Sequence, residues 1–224
     1  MYNQFMSTNM KNLFHKRVML TLVCISSLLS FASVPIPDDE DALRILPPGP
    51  VQLQVKPLQQ KKITSCGEAA ITMVYNYAYP DSPLNELDIV AFAMDNGYYT
   101  DNRRPYTSPA NMIVIAKHYA EDVSSGTVTT PEEGLALLFE RLSKSEPVII
   151  DIWTYLDIPY SDAHFVVVTG ISPHPKNQGM YIVHYNNPLT ARAESARWDV
   201  LWTAWQNNGD PGGSGWWLTI HASE

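Results

Sequence analysis

An α+β fold, with an N-terminal helical layer packed on an antiparallel sheet, is predicted by three features of this 224-residue chain. Hydroxyl-proline pairs recur at Ser82-Pro83, Ser108-Pro109 and Thr130-Pro131, each offering an N-cap before a proline suited to the first helical position. Beyond Glu146 the pattern changes to short β-branched runs divided by turn residues. Helices therefore come first and strands afterwards, which indicates segregated layers and not alternating βαβ units.

Each element has its own justification. Ser65-Cys66-Gly67-Glu68 reads as a capping box, followed at helical spacing by Ala70, Met73, Val74 and Tyr77. The three later caps open helices that run to about Met94, Tyr119 and Ser143, the last again through a capping box at Thr130-Pro131-Glu132-Glu133. Strands are expected at Pro147–Trp153, His164–Gly170, Met180–Tyr185 and Gly215–Ile220, joined as a meander by turns around Pro159, Asp162 and Pro173–Gly179.

The N-terminal end is of another kind. Lys11, Lys16 and Arg17 precede an apolar run of 15 residues, Val18–Ala32. That is short for a membrane span but suits a signal peptide, with Ser30-Phe31-Ala32 as the cleavage site. Residues 33–56 form a lead-in arm, with five prolines between Pro35 and Pro50 around the acidic run Asp38–Asp41, and residues 57–224 form the folded domain. The expected product is exported, periplasmic or extracellular, with no stable membrane insertion after cleavage.

Composition narrows the function. The whole chain carries a formal charge of −8, and removing 1–32 takes away three cations and no acid, leaving −11. No basic stripe offsets this, so a nucleic-acid partner is not expected. No HExxH or comparable spacing points to a metal, and no cofactor is expected. Of two cysteines, Cys24 leaves with the signal, so Cys66 becomes the lone thiol in an oxidising compartment and needs a reason to be there.

The thiol is either buried and inert or a nucleophile, and its setting favours the second. Cys66 opens a helix, where unpaired N–H groups and the helix dipole favour a thiolate. Six residues upstream, Gln60 offers a side-chain amide N–H, which with the Cys66 N–H would hold an acyl-transfer oxyanion. His164 opens the strongest strand, and Asn187 ends the next one at Asn186-Asn187-Pro188. Antiparallel pairing brings those two ends together, so that Asn187 could orient the imidazole as a base. Asn186 is the alternative for that role. Asp151, a carboxylate inside an apolar strand, is either buried and paired or turned to the cleft.

Gln60, Cys66-Gly67, His164-Phe165-Val166-Val167-Val168-Thr169-Gly170 and Asn187-Pro188 together resemble the C39-like branch of papain-like cysteine peptidases. The resemblance runs from about Pro57 to Ile220, and the ending Trp202-Thr203-Ala204-Trp205…Gly215-Trp216-Trp217 is similar to that family's last strands. It implies the papain-like fold, with the nucleophile on the helical layer, His and its partner on the sheet, and Cys66, His164, Asn187 and Gln60 as the site. Many C39-like members have Asp before the proline, where this chain has Asn187. The implied function is a monomeric thiol hydrolase acting on a peptide or protein through a Cys66 acyl-enzyme. An amidase or acyltransferase with the same pair, or an inactive binding module, is the alternative. Specificity is expected from the loops at 95–107 and 154–162.

Overall fold

A computed structural model describes residues 49–99 and 106–222. The expected signal peptide 1–32, most of the lead-in arm and residues 100–105 of the first specificity loop lie outside the described residues. The elements run β1 (Val51–Gln52), α1 (Cys66–Ala78), α2 (Glu86–Asp95), α3 (Pro109–Tyr119), β2 (Val123–Thr127), α4 (Pro131–Ser143), β3 (Val148–Trp153), β4 (Ala163–Pro173), β5 (Tyr181–Asn187), β6 (Arg192–Arg197), α5 (Trp198–Gln206) and β7 (Trp216–Ile220). The strands form one antiparallel sheet in the order β2-β7-β3-β4-β5-β6, with β1 added to β4. The fold is α+β, as the sequence predicts.

Two caps follow the sequence and two depart from it. The Ser108 hydroxyl accepts from the Asn111 N–H at 3.3 Å. Thr130 and Glu133 form the reciprocal capping box, with the Thr130 hydroxyl accepting from the Glu133 N–H at 3.2 Å. Ser82-Pro83, however, precedes α2 without capping it. The Leu84 N–H and C=O are both held by the Asn76 side chain on α1, at 2.7 and 3.0 Å, so the helix waits for Asn85, whose Oδ1 accepts from the Leu87 N–H. The box expected at Ser65–Glu68 is also absent. The Ser65 hydroxyl donates to Glu86 at 2.7 Å, and the Glu68 carboxylate accepts from Thr107 instead.

Helices cover both faces of the sheet. Towards α1, α2 and α3 it presents Ile149, Phe165, Val167, Leu218 and Ile220, packed on Ile71, Val74, Ile89, Met112 and Ile115. Towards α4 and α5 it presents Val148, Ile150, Ile152, Val166 and Val168, packed on Leu138, Leu142, Leu201 and Trp205. Burial on both faces explains why the β3 and β4 sequences are continuous apolar runs and not alternations. The stretch around Trp202 and Trp205, likened above to strands, is the helix α5. Trp198, Trp202 and Trp205 recur at i, i+4 and i+7, pack against one another, and close the second face. Among the described residues no helix is long and apolar enough to cross a membrane.

A close approach sets the site. A side chain at Gly67 would place its Cβ 2.5 Å from the Met112 sulfur and 3.3 Å from the Phe165 ring. The absence of a Cβ lets the start of α1 lie this near β4 without displacing Met112 or the Phe165 ring, and so keeps Cys66 close to that strand.

Candidate active site

The N–H groups of Phe165 and Gly67 face the Cys66 sulfur and favour its thiolate. Burial works the other way and wins. With added repulsion from Glu68 and Asp151, it pushes the thiol up to about 12. The helix start was expected to lower this value. The correction is physical: a helix terminus contributes a partial charge, whereas enclosure removes the hydration of a full one. At rest Cys66 is a protonated thiol.

His164 lies buried near the start of β4, and its Nε2 meets Asn187 Oδ1 at 2.8 Å. The Asn187 amide has a defined orientation, because its Nδ2 donates to Glu194 Oε2 at 3.1 Å and a carboxylate can only accept. Oδ1 is therefore the acceptor, His164 carries its proton on Nε2, and Nδ1 is the nitrogen with a lone pair to offer. Burial lowers the His164 pKa, against the Asn187 hydrogen bond and the Glu194 charge, so the ring is neutral at neutral pH. At rest the thiol and the imidazole are thus both neutral.

Asn187 also organises its own turn. Its Oδ1 accepts from the Leu189 N–H at 2.9 Å, and Ala191, at φ 55°, closes the hairpin that returns β6 alongside β5. That return brings Glu194 under Asn187. Glu194 was not found from the sequence: Arg192-Ala193-Glu194-Ser195-Ala196-Arg197 has no apolar pattern that would mark an edge strand. Its carboxylate also accepts from Tyr185 at 3.2 Å and Thr190 at 2.6 Å, so it supplies a fixed negative charge one residue removed from the imidazole. Asn186 has a separate role, its Nδ2 donating to the Val55 carbonyl at 2.8 Å.

Gln60 is tied to the same corner, its N–H donating to the Pro188 carbonyl at 2.9 Å. Its side-chain Nε2 donates to the carbonyls of Lys62 at 3.0 Å and Ile63 at 2.7 Å, and its buried Oε1 has no partner. Both amide hydrogens are therefore engaged in shaping the loop that leads into Cys66, and none is directed to an oxyanion in this state.

Asp151 is buried and paired. On β3 it stands opposite Phe165, on the face towards α1, and its carboxyl meets that of Asp210. Burial, then the Asp210 charge, raises its pKa well above the ordinary carboxylate range. Asp210 in turn accepts from the Tyr106 hydroxyl. Among the described residues no group of three or more His, Cys, Asp or Glu is placed to hold a metal.

A helix-start cysteine against a strand bearing a histidine, whose far nitrogen is held by an asparagine amide, is the arrangement of a cysteine-peptidase-type hydrolase. The profile of the Peptidase_C39 like family matches residues 52–211, and the chain belongs to that family. The match begins inside β1, consistent with the pairing of that strand to the sheet. No curated protein matches the chain.

Proposed function

We propose that the protein is an exported cysteine peptidase that cleaves peptide bonds through an acyl-enzyme on Cys66. The observation that carries the reading is the His164 Nε2–Asn187 Oδ1 bond at 2.8 Å, which leaves Nδ1 as the proton acceptor beside the strand start that faces the sulfur. In the proposed cycle His164 Nδ1 takes the thiol proton as the sulfur attacks the scissile carbonyl carbon, and the C–O π electrons move to oxygen. The tetrahedral oxyanion is held by the Cys66 N–H and by the Gln60 amide, which exchanges a loop carbonyl for the new charge. His164 returns the proton to the leaving nitrogen as the C–N bond breaks. Water, deprotonated by the same nitrogen, then cleaves the thioester, releasing the acid and restoring the thiol.

The test is a peptidyl chloromethyl ketone, which needs both the thiol and its base. Stoichiometric labelling of Cys66 in the folded protein, strongly slowed in His164→Ala, is the expected result. Labelling only after unfolding removes the proposal. With a peptide substrate, Gln60→Ala should lower kcat by about 10²–10³-fold, the effect of losing one oxyanion donor. A change of only a few-fold would assign Gln60 to the loop alone.

One observation favours the second reading, an inactive binding module on this fold: both hydrogens of the Gln60 amide are engaged at rest. Export rests on residues 1–32, and N-terminal sequencing of protein recovered outside the cytoplasm should begin at Ser33; an intact Leu20 there would exclude cleavage.

A further inference from the structure

A cavity of about 280 Å³, with Asn187 in its lining, opens between the loop after β3 and the β5–β6 hairpin. Its walls include Leu156, Leu189 and the rings of Tyr155 and Tyr185, and its charged groups are Glu194 and Asp157, with no basic residue in the lining. Arg192 shares the strand face of Glu194, but it is exposed and does not line the cavity.

The mouth is unusual for a surface loop. Tyr155 is 52% exposed and Leu189 36%, so apolar groups stand at the opening beside the two carboxylates. Exposed apolar groups gathered at one opening mark a place where another molecule is covered.

The chemistry of the proposed cycle says which part of a substrate reaches it. His164 must deliver its proton to the leaving nitrogen, so the leaving segment departs on the imidazole side of the sulfur. The imidazole is held by Asn187, and Asn187 lines this cavity. Resting on the peptidase reading above, we infer that the cavity is the subsite for the first residue of the leaving segment, and that it selects a long basic side chain, lysine or arginine. Such a side chain lays its methylenes along Leu156, Leu189 and Tyr155 and brings its cation to Glu194 and Asp157. The Glu194 carboxylate is already held by Tyr185, Asn187 and Thr190, so it is fixed in place before the ligand arrives. Burial and the Glu194 charge keep the Tyr185 phenol protonated, so the donor to Glu194 persists through the neutral range.

The inference is tested without turnover, in full-length Cys66→Ala protein titrated calorimetrically with the product-like peptides Lys-Ala-amide and Met-Ala-amide. The two have the same length and apolar reach and differ in the terminal charge. The lysine peptide should bind about tenfold tighter, with a preference that falls as salt is raised. Adding Asp157→Asn, an exposed position outside the catalytic machinery, should cut the preference about threefold, and Asp157→Lys should abolish it. Equal affinities for the two peptides, or a preference untouched by Asp157→Lys, overturns the inference. The chloromethyl ketone assay reports on the peptidase reading separately, so a charge-selective cavity beside an unreactive thiol, and a reactive thiol beside an indifferent cavity, are distinguishable results.

Discussion

Cys66→Ala is expected to abolish peptide hydrolysis while leaving the melting temperature almost unchanged. The rate should fall by on the order of 10⁵–10⁶-fold, because nucleophile and base act as a unit and the remaining groups cannot form an acyl-enzyme. The fold should tolerate the change for reasons visible at the helix start. The Ser65 hydroxyl is committed to Glu86 and not to the helix, and the approach of α1 to β4 depends on Gly67, so neither is touched. His164→Ala should be nearly as damaging, and the double variant no worse than either single one. Initial-rate assays on all three, with melting curves as the control, measure the effect. Turnover in Cys66→Ala at more than a hundredth of the wild-type rate would exclude Cys66 as nucleophile.

The second large effect concerns stability. Glu68 is fully buried in the first turn of α1, and burial raises its pKa to about 7, against the hydrogen bond from Thr107. In the unfolded chain the same carboxyl titrates near ~4.5. A group whose folded pKa is raised contributes stability below its unfolded value and loses it as pH rises through the folded one. Between pH ~4.5 and 7 the wild type should therefore lose up to about 3 kcal/mol from this residue. Glu68→Gln keeps an acceptor for Thr107 and cannot ionise, so its advantage over wild type should grow across that window and level off above pH ~7. His164 contributes in the opposite direction, since its lowered pKa makes stability fall as pH drops below ~6.5. That contribution is present in both proteins and cancels in the difference. Denaturant titrations at a series of pH values give the difference curve; parallel profiles for the two proteins would show that Glu68 ionises as freely in the fold as out of it.

Much of this architecture could be read from residues whose neighbours in sequence decide their structure. Thr130-Pro131-Glu132-Glu133 makes its cap from within four residues, and it folds as read. The β3 and β4 runs are apolar enough to be strands in any setting with both faces covered. The contact of His164 with Asn187 was legible because each sits near the end of a strand, where antiparallel pairing brings such ends together. What was not legible depends on partners far along the chain. Ser65 and Glu68 carry the signature of a capping box, but Glu86 and Thr107 compete for the same oxygens and win. Gln60 has the right spacing to Cys66, yet the loop carbonyls of Lys62 and Ile63 lie closer at hand. The strands β2 and β6 lie at the two ends of the sheet, where polar residues face water and leave no apolar alternation to detect. Glu194 sits on such a strand, so its hold on Asn187 left no trace in the pattern.

The corner around Asn187 has a consequence for when the site comes into being. Asn186 is held by Val55, 131 residues away in the chain, and Pro188 is held by Gln60. Contacts of this span close late, because the loop entropy of the whole intervening chain must be overcome before any of them stabilises the fold. A chain emerging from its N-terminus has its thiol in place on α1 long before the strand that carries His164, and longer still before the hairpin that holds the imidazole. On the proposed reading, Cys66 therefore spends the early life of the polypeptide without its base. The proposed reactivity would then arrive as one of the last acts of folding, once the two ends of the domain have found each other.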